Sequence, residues 1–148
     1  MSETIKISFK VLRRGAAVPS YGTPGSAGAD LYALLDEPLV IHPGETRMVG
    51  TGIACEIPDG YAGLIFARSG LATKQGLAPA NKVGVVDPDY RGEWMIGLHN
   101  HSGEDRTVCS GDRIAQVVFV PFAHAAFVET SELSDTSRGG GGFGSTGY

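Results

Sequence analysis

Asp87, Asp89 and Tyr90 stand within four residues in "NKVGVVDPDYRG", Asn81 to Gly92. A carboxylate at the end of a strand is a candidate general base for activating water when an anion site lies beside it. "FARSGLATKQG" offers such a site, with Arg68 and Ser69 where a strand should end and a short helix begin. Free N–H groups at a helix start attract anions, and the hydroxyl and guanidinium add donors. In "PGSAGADLYA", small residues precede Asp30; they let backbone approach a ligand closely, and the carboxylate can hold a metal-bound water. Gln116 lies mid-strand in "GDRIAQVVFVP", where an inward amide must find a partner. Each stretch also has a plain reading. Asp-Pro is common turn chemistry, Ser69 can simply cap a helix, Asp30 can follow a glycine turn into a strand, and Gln116 can face solvent.

The last twelve residues, "SRGGGGFGSTGY", hold six glycines around one Phe. Glycine loses more freedom on ordering than any other residue, so such a tail stays loose by default. A linker has no need of Arg138, Phe143, Ser145 and Thr146, so the alternative is a flap that orders over a ligand. The run from Gly139 to Gly144 has P-loop spacing, but Ser145 replaces the lysine, and the flanking strand and helix are missing. "HNH", His99 to His101, lies in a strand running into a turn and is read as structural rather than metal-binding.

These residues must be held by β-structure. "TIKISFKVL", "EPLVIHPGE", "RMVGTGIACEIPDG", "YAGLIFA", "KVGVVDPDYRG", "EWMIGLHN" and "RIAQVVFVPF" read as short strands bounded by Pro, Gly, Asp or Asn. That pattern predicts an all-β sandwich or barrel of jelly-roll type. At most one short helix is expected, in "SGLATKQG", capped by Ser69 and stopped by Gly76. The 148 residues suit one domain, and composition shifts at about Ser131. The expected division is a core over 1–130 and a flexible arm over 131–148.

A net charge of −4 disfavours a nucleic-acid surface, so phosphate must be met by a few local donors or a metal. No apolar run approaches the ~18 residues of a membrane span, and the N-terminus lacks a signal-peptide layout; the expectation is a cytoplasmic protein without membrane contact. Cys55 and Cys109, without a CxxC pair, are expected to be buried thiols rather than a disulfide.

Taken in order, "AGADLYA", "ARSGLA", "GVVDPDYRGEW", "GDRIAQVVFVP" and "RGGGGFGSTG" resemble the five motifs of the homotrimeric dUTPase family, from about Pro24 to the end. The resemblance implies a distorted jelly-roll, β-clip-like trimer with sites shared between subunits, hydrolysing dUTP to dUMP and pyrophosphate with Mg²⁺. It implies that Asp30 holds the metal through water and that Asp87 activates water for attack on the α-phosphorus. Arg68, Ser69, Gly70 and Gln116 would bind phosphates, and Tyr90 would pack on the deoxyribose and exclude a 2′-hydroxyl. Asn81 and the hairpin backbone up to Tyr90 would read uracil, with Val86 and Met95 also assigned to the substrate. Arg138, Phe143, Gly144, Ser145 and Thr146 would close over it, Phe143 stacking on the base. Ala29 departs from the family, which often has an aromatic there.

Three rivals fit less well. A dCTP deaminase shares the fold, but its general-base glutamate would fall near Gly97, which has no side chain to act. An RGG-like nucleic-acid module would rest on one arginine of an acidic chain. A purely structural trimer leaves Asp87, Tyr90 and Phe143 unexplained.

Overall fold

The computed structural model describes residues 4–147. Twelve strands carry nearly all the regular structure: β1 Ser8–Val11, β2 Ser20–Tyr21, β3 Ala29–Tyr32, β4 Leu39–Ile41, β5 Thr46–Gly50, β6 Ile53–Glu56, β7 Tyr61–Phe66, β8 Leu77–Pro79, β9 Gly84–Val86, β10 Met95–Asn100, β11 Arg106–Val108 and β12 Arg113–Pro121. The largest sheet has the order β2-β3-β12-β7-β9, and β5-β10-β8 form a second. β1 pairs with β6, and β4 with β11. Every pairing is antiparallel.

The expected all-β, jelly-roll class holds, and the differences from expectation are local. "RMVGTGIACE" is two strands, because Gly52 turns the chain at φ 71° and a side chain there would strike Leu34. β2, β8 and β11 are two or three residues long, too short for alternation to register in the sequence. The one helical element, Leu71–Gln75, is a widened π-type turn rather than an α-helix. Ser69 does not cap it: Gly70 holds the N-cap position, and no side-chain cap bond forms. Gly76 ends it as expected, left-handed at φ 70° and donating its N–H to Leu71 O.

Leu31, Ile53, Leu98, Ile114 and Val117 fill the core between the sheets, together with Trp94, which tilts against Phe119 at 6.4 Å between ring centroids. Cys55 is buried among them, and burial pushes its thiol up to about 11, so it is uncharged at neutral pH. Cys109, expected inside, is exposed in the turn after β11; both thiols are free. Its position follows from the turn, where its N–H is taken by Asp112 Oδ2 at 2.8 Å.

Asn100, the centre of the "HNH" stretch, is fully buried. Its Nδ2 donates to Ile41 O at 2.8 Å and Glu104 O at 2.7 Å, while Oδ1 accepts from the Ser102 N–H and hydroxyl at 2.9 and 2.8 Å. His99 and His101 bond elsewhere, to Thr46 and to Ala72 O. The amide stitches β4, the end of β10 and the following turn together. Asn100→Ala strands those partners in the interior and is expected to cost about 3 kcal/mol, read as a lowered denaturant midpoint at unchanged slope.

Candidate active site

The largest sheet gathers the first group of polar residues. β12 pairs with β3 so that Gln116 lies opposite Asp30, and with β7 so that Gln116 lies opposite Phe66. Arg68 follows Phe66 by two residues, and its Nε donates to Asp30 Oδ1 at 2.7 Å. Arg113 reaches the other carboxylate oxygen at 3.4 Å. Three positions separate Arg113 from Gln116, which would set them on opposite faces of a regular strand. The register slips by one residue between Arg113 and Ala115, so Arg113 pairs with Tyr32 and Gln116 with Asp30, which share a face. That bulge brings Arg113 to the buried carboxylate that Arg68 also holds.

Gln116 finds its partner: Nε2 donates to Ala67 O at 2.9 Å. Gly28 makes room for it, since a Cβ there would lie 2.4 Å from Gln116 Oε1. Ser69 and Gly70 are exposed at the start of the helical turn. Arg68, Gly70, Lys74 and Arg113 line an open cavity of about 420 Å³. Asp112 also lies in its lining, so the three cations leave it net positive and suited to phosphate oxygens. Lys74 and Arg113 were not singled out by sequence reasoning; the i, i+4 step from Gly70 to Lys74 and the bulge on β12 were the missing signals.

The second group lies elsewhere. Asn81, Val86, Asp87, Tyr90 and Met95 line a cavity of about 340 Å³ walled by β9, β10 and the turn that carries the chain from β8 to β9. This turn is tight: Lys82 takes φ 65°, and its N–H donates to Pro79 O at 3.1 Å. Asp87 is exposed at the end of β9, and its carbonyl closes the turn to the Tyr90 N–H at 3.2 Å. The Tyr90 hydroxyl donates to Glu93 O at 2.9 Å. Gly97 leaves the floor open beside Met48, whose Sδ would lie 3.2 Å from a Cβ there. The charged residues lining this cavity are Asp87 and Glu93, both acids. Glu93 and Met48 were also not anticipated.

The arm is apart from both groups. Arg138 Nε bonds only back to Gly141 O at 3.0 Å, and Phe143 is fully exposed. Gly144, Ser145 and Thr146 are exposed with it, so the structure does not bring the five arm residues to either cavity.

A family model described as dUTPase matches residues 14–147. The chain belongs to the dUTPase family. Its enzyme class is accordingly that of a dUTP diphosphatase. A deoxyuridine 5′-triphosphate nucleotidohydrolase of Desulfitobacterium hafniense is 49% identical over 147 residues, 97% of each chain. Among solved structures, the Staphylococcus bacteriophage 80alpha dUTPase with dUPNHPP matches at a TM-score of 0.85 and 28% identity, over 98% of this chain and all of that one. A mutant dUTPase of the S. aureus phage phi11, described for its coordination of a structural Mg(II) ion, matches at 0.76 and 25% identity, over 86% of this chain and 98% of that one. In this dUTPase, no cluster of three or more His, Cys, Asp or Glu side chains is placed to hold a metal among the described residues, and no helix among them is long and apolar enough to cross a membrane.

Gly28 gives a direct handle on the group around Gln116. Gly28→Ala should displace the flexible end of Gln116 while sparing the fold. The expected result is a KM for dUTP raised about tenfold with a thermal midpoint lowered by less than about 3 °C, from parallel kinetics and melting.

Proposed function

We propose that the enzyme hydrolyses dUTP to dUMP and pyrophosphate by in-line attack of a water on the α-phosphorus, in sites each completed by more than one subunit of a homotrimer. The observation that carries this is the separation of charge. The charged residues lining the cavity that suits uracil and deoxyribose are Asp87 and Glu93, while the cations Arg68, Lys74 and Arg113 outnumber the one acid, Asp112, in a different cavity that shares no residue with it. A triphosphate seated in the first needs cations that its own cavity walls lack, and the second cavity of a neighbouring subunit supplies them.

Within such a site Asp87 is the base. It is exposed at the rim and takes the proton from water as the P–O bond forms, a step typically worth about 10²–10⁴ in rate. Asn81 and the backbone of the turn from β8 to β9 read the uracil edge, with Val86 and Met95 forming apolar walls. Tyr90 leaves no room for a 2′-hydroxyl. Arg68, Ser69, Gly70 and Gln116 hold the phosphate chain, and Arg68 leaves Asp30 in part to do so.

The residues present fit Mg²⁺ arriving with the nucleotide. A magnesium ion is commonly held by one carboxylate, waters and substrate phosphates, and Asp30 is a single carboxylate with lone pairs left beyond its two arginine contacts. Bound there, the ion would neutralise phosphate charge. Asp30 would contact it through a water.

The arm fits the role of a cover. Its glycines leave it loose when empty; with nucleotide beneath, Phe143 stacks on uracil, while Arg138, Gly144, Ser145 and Thr146 wrap the phosphates. Phe127, Val128 and Leu133 are nearly fully exposed on one chain, which supports an assembly that covers them. Two free thiols suit a reducing, cytoplasmic setting. There the reaction keeps uracil out of DNA and supplies dUMP for thymidylate synthesis.

Asp87→Asn keeps the shape of the base without its proton affinity. It should fold and bind a non-hydrolysable dUTP analogue while turnover drops at least about a hundredfold; near-normal turnover removes Asp87 from the mechanism.

Co-expression tests the shared site. An inactive Asp87→Ala chain and an inactive chain lacking Ser137 to Tyr148 should rescue each other if base and arm come from different subunits. With equal mixing, a site has both parts with chance one half times one half, so about a quarter of sites regain activity in a cyclic trimer. Purified mixed trimers no more active than the two parent homotrimers would contradict the arrangement.

A further inference from the structure

Tyr90 is held in place by a chain of contacts that leads away from the cavity. Its hydroxyl is committed to the main chain, donating to Glu93 O at 2.9 Å, so ring position depends on where residue 93 sits. Gly92 lets the ring lie close over the backbone, since a Cβ there would come 2.4 Å from the hydroxyl oxygen.

Residue 93 is fixed in turn by its own side chain. Glu93 Oε1 accepts from the Gly52 N–H at 2.8 Å and from Arg13 Nη2 at 3.1 Å. Gly50 leaves the space for this pair: a Cβ there would lie 2.6 Å from Glu93 Oε1 and 2.8 Å from Arg13 Nη2. Arg13 Nη2 also reaches Leu34 O at 3.4 Å. On the other side, Trp94 donates its N–H to Ile53 O at 2.9 Å and accepts from Thr51 Oγ1 at 2.7 Å. The wall that carries Tyr90 is therefore stapled to the turn between β5 and β6. The carboxylate of Glu93 is only a quarter exposed, so its bonds are less screened than those of a free surface pair.

We infer that Glu93 and Arg13 are positioning residues for sugar selection: they set how firmly Tyr90 is held over the deoxyribose, and so how well the enzyme rejects UTP. This rests on the proposed role of Tyr90. Neither side chain needs to touch the sugar. A loosened wall lets the ring retreat by a fraction of an ångström, which is enough to admit a hydroxyl.

The test is the ratio of kcat/KM for dUTP to that for UTP. Glu93→Ala should lower the ratio about tenfold, mainly by raising activity on UTP. Glu93→Gln keeps an oxygen acceptor for the Gly52 N–H and should hold the ratio within about threefold of wild type. In a Tyr90→Ala background, Glu93→Ala should change the ratio no further, because the two act through one ring. A part that only supports the fold would lower both substrates together and leave the ratio alone. If Tyr90→Ala collapses the ratio and Glu93→Ala leaves it at the wild-type value, the positioning inference is overturned and the sugar reading stands. If Tyr90→Ala itself leaves the ratio unchanged, the sugar reading falls and the inference with it. Should Glu93→Ala not fold, Arg13→Gln, at a half-exposed side chain, carries the test: a lowered ratio supports the inference, and an unchanged one overturns it.

Discussion

The single extra residue between Arg113 and Ala115 is the constraint on which the phosphate-side group depends. β12 is hydrogen-bonded along both edges, to β3 and to β7, so it cannot rotate to suit one side chain. Without the slip, Arg113 would point away from Gln116, and Asp30 would meet one guanidinium instead of two. With it, a buried carboxylate has both oxygens compensated, which is the condition for keeping a charge largely out of water. The two arginines are held in place by the same contact.

Charge divides the molecule functionally. The charged residues of one cavity are both acids and those of the other are mainly basic, and each half is built on a different sheet region. In the proposed arrangement the nucleoside takes the cavity without cations, and the phosphate chain takes the one where three cations outnumber Asp112. Asp30, beside the basic cavity, is neutralised by its ion pairs with Arg68 and Arg113. Joining the two halves across subunits, as proposed, places the general base opposite the phosphates without ever pairing it with Arg68 in a single chain. A base already tied to a guanidinium would be less ready to take a proton.

Most of the β-structure could be read from the sequence because alternation and turn residues are local signals. β7, β10 and β12 lie where their apolar runs fall, and Gly76 stops the helical turn where expected. β2, β8 and β11 left no mark because pairing with distant strands, rather than local alternation, makes them. Ser69, by contrast, failed to cap its turn, and Cys109 stayed outside in a local turn closed by Asp112.

The sequence by itself determined the family and the all-β class, since five ordered motifs, short alternating runs and a glycine-rich end are properties of the chain alone. Tertiary structure alone decided which residues meet. It set Arg113 beside Asp30 through a bulge, tied Glu93 to Gly52 and Arg13 across a distant turn, and put Asp87 and Glu93 in one cavity and Arg68, Lys74 and Arg113 in another. The physical reason is that side-chain direction follows strand register, and register is fixed by hydrogen bonds to partners far away in the chain.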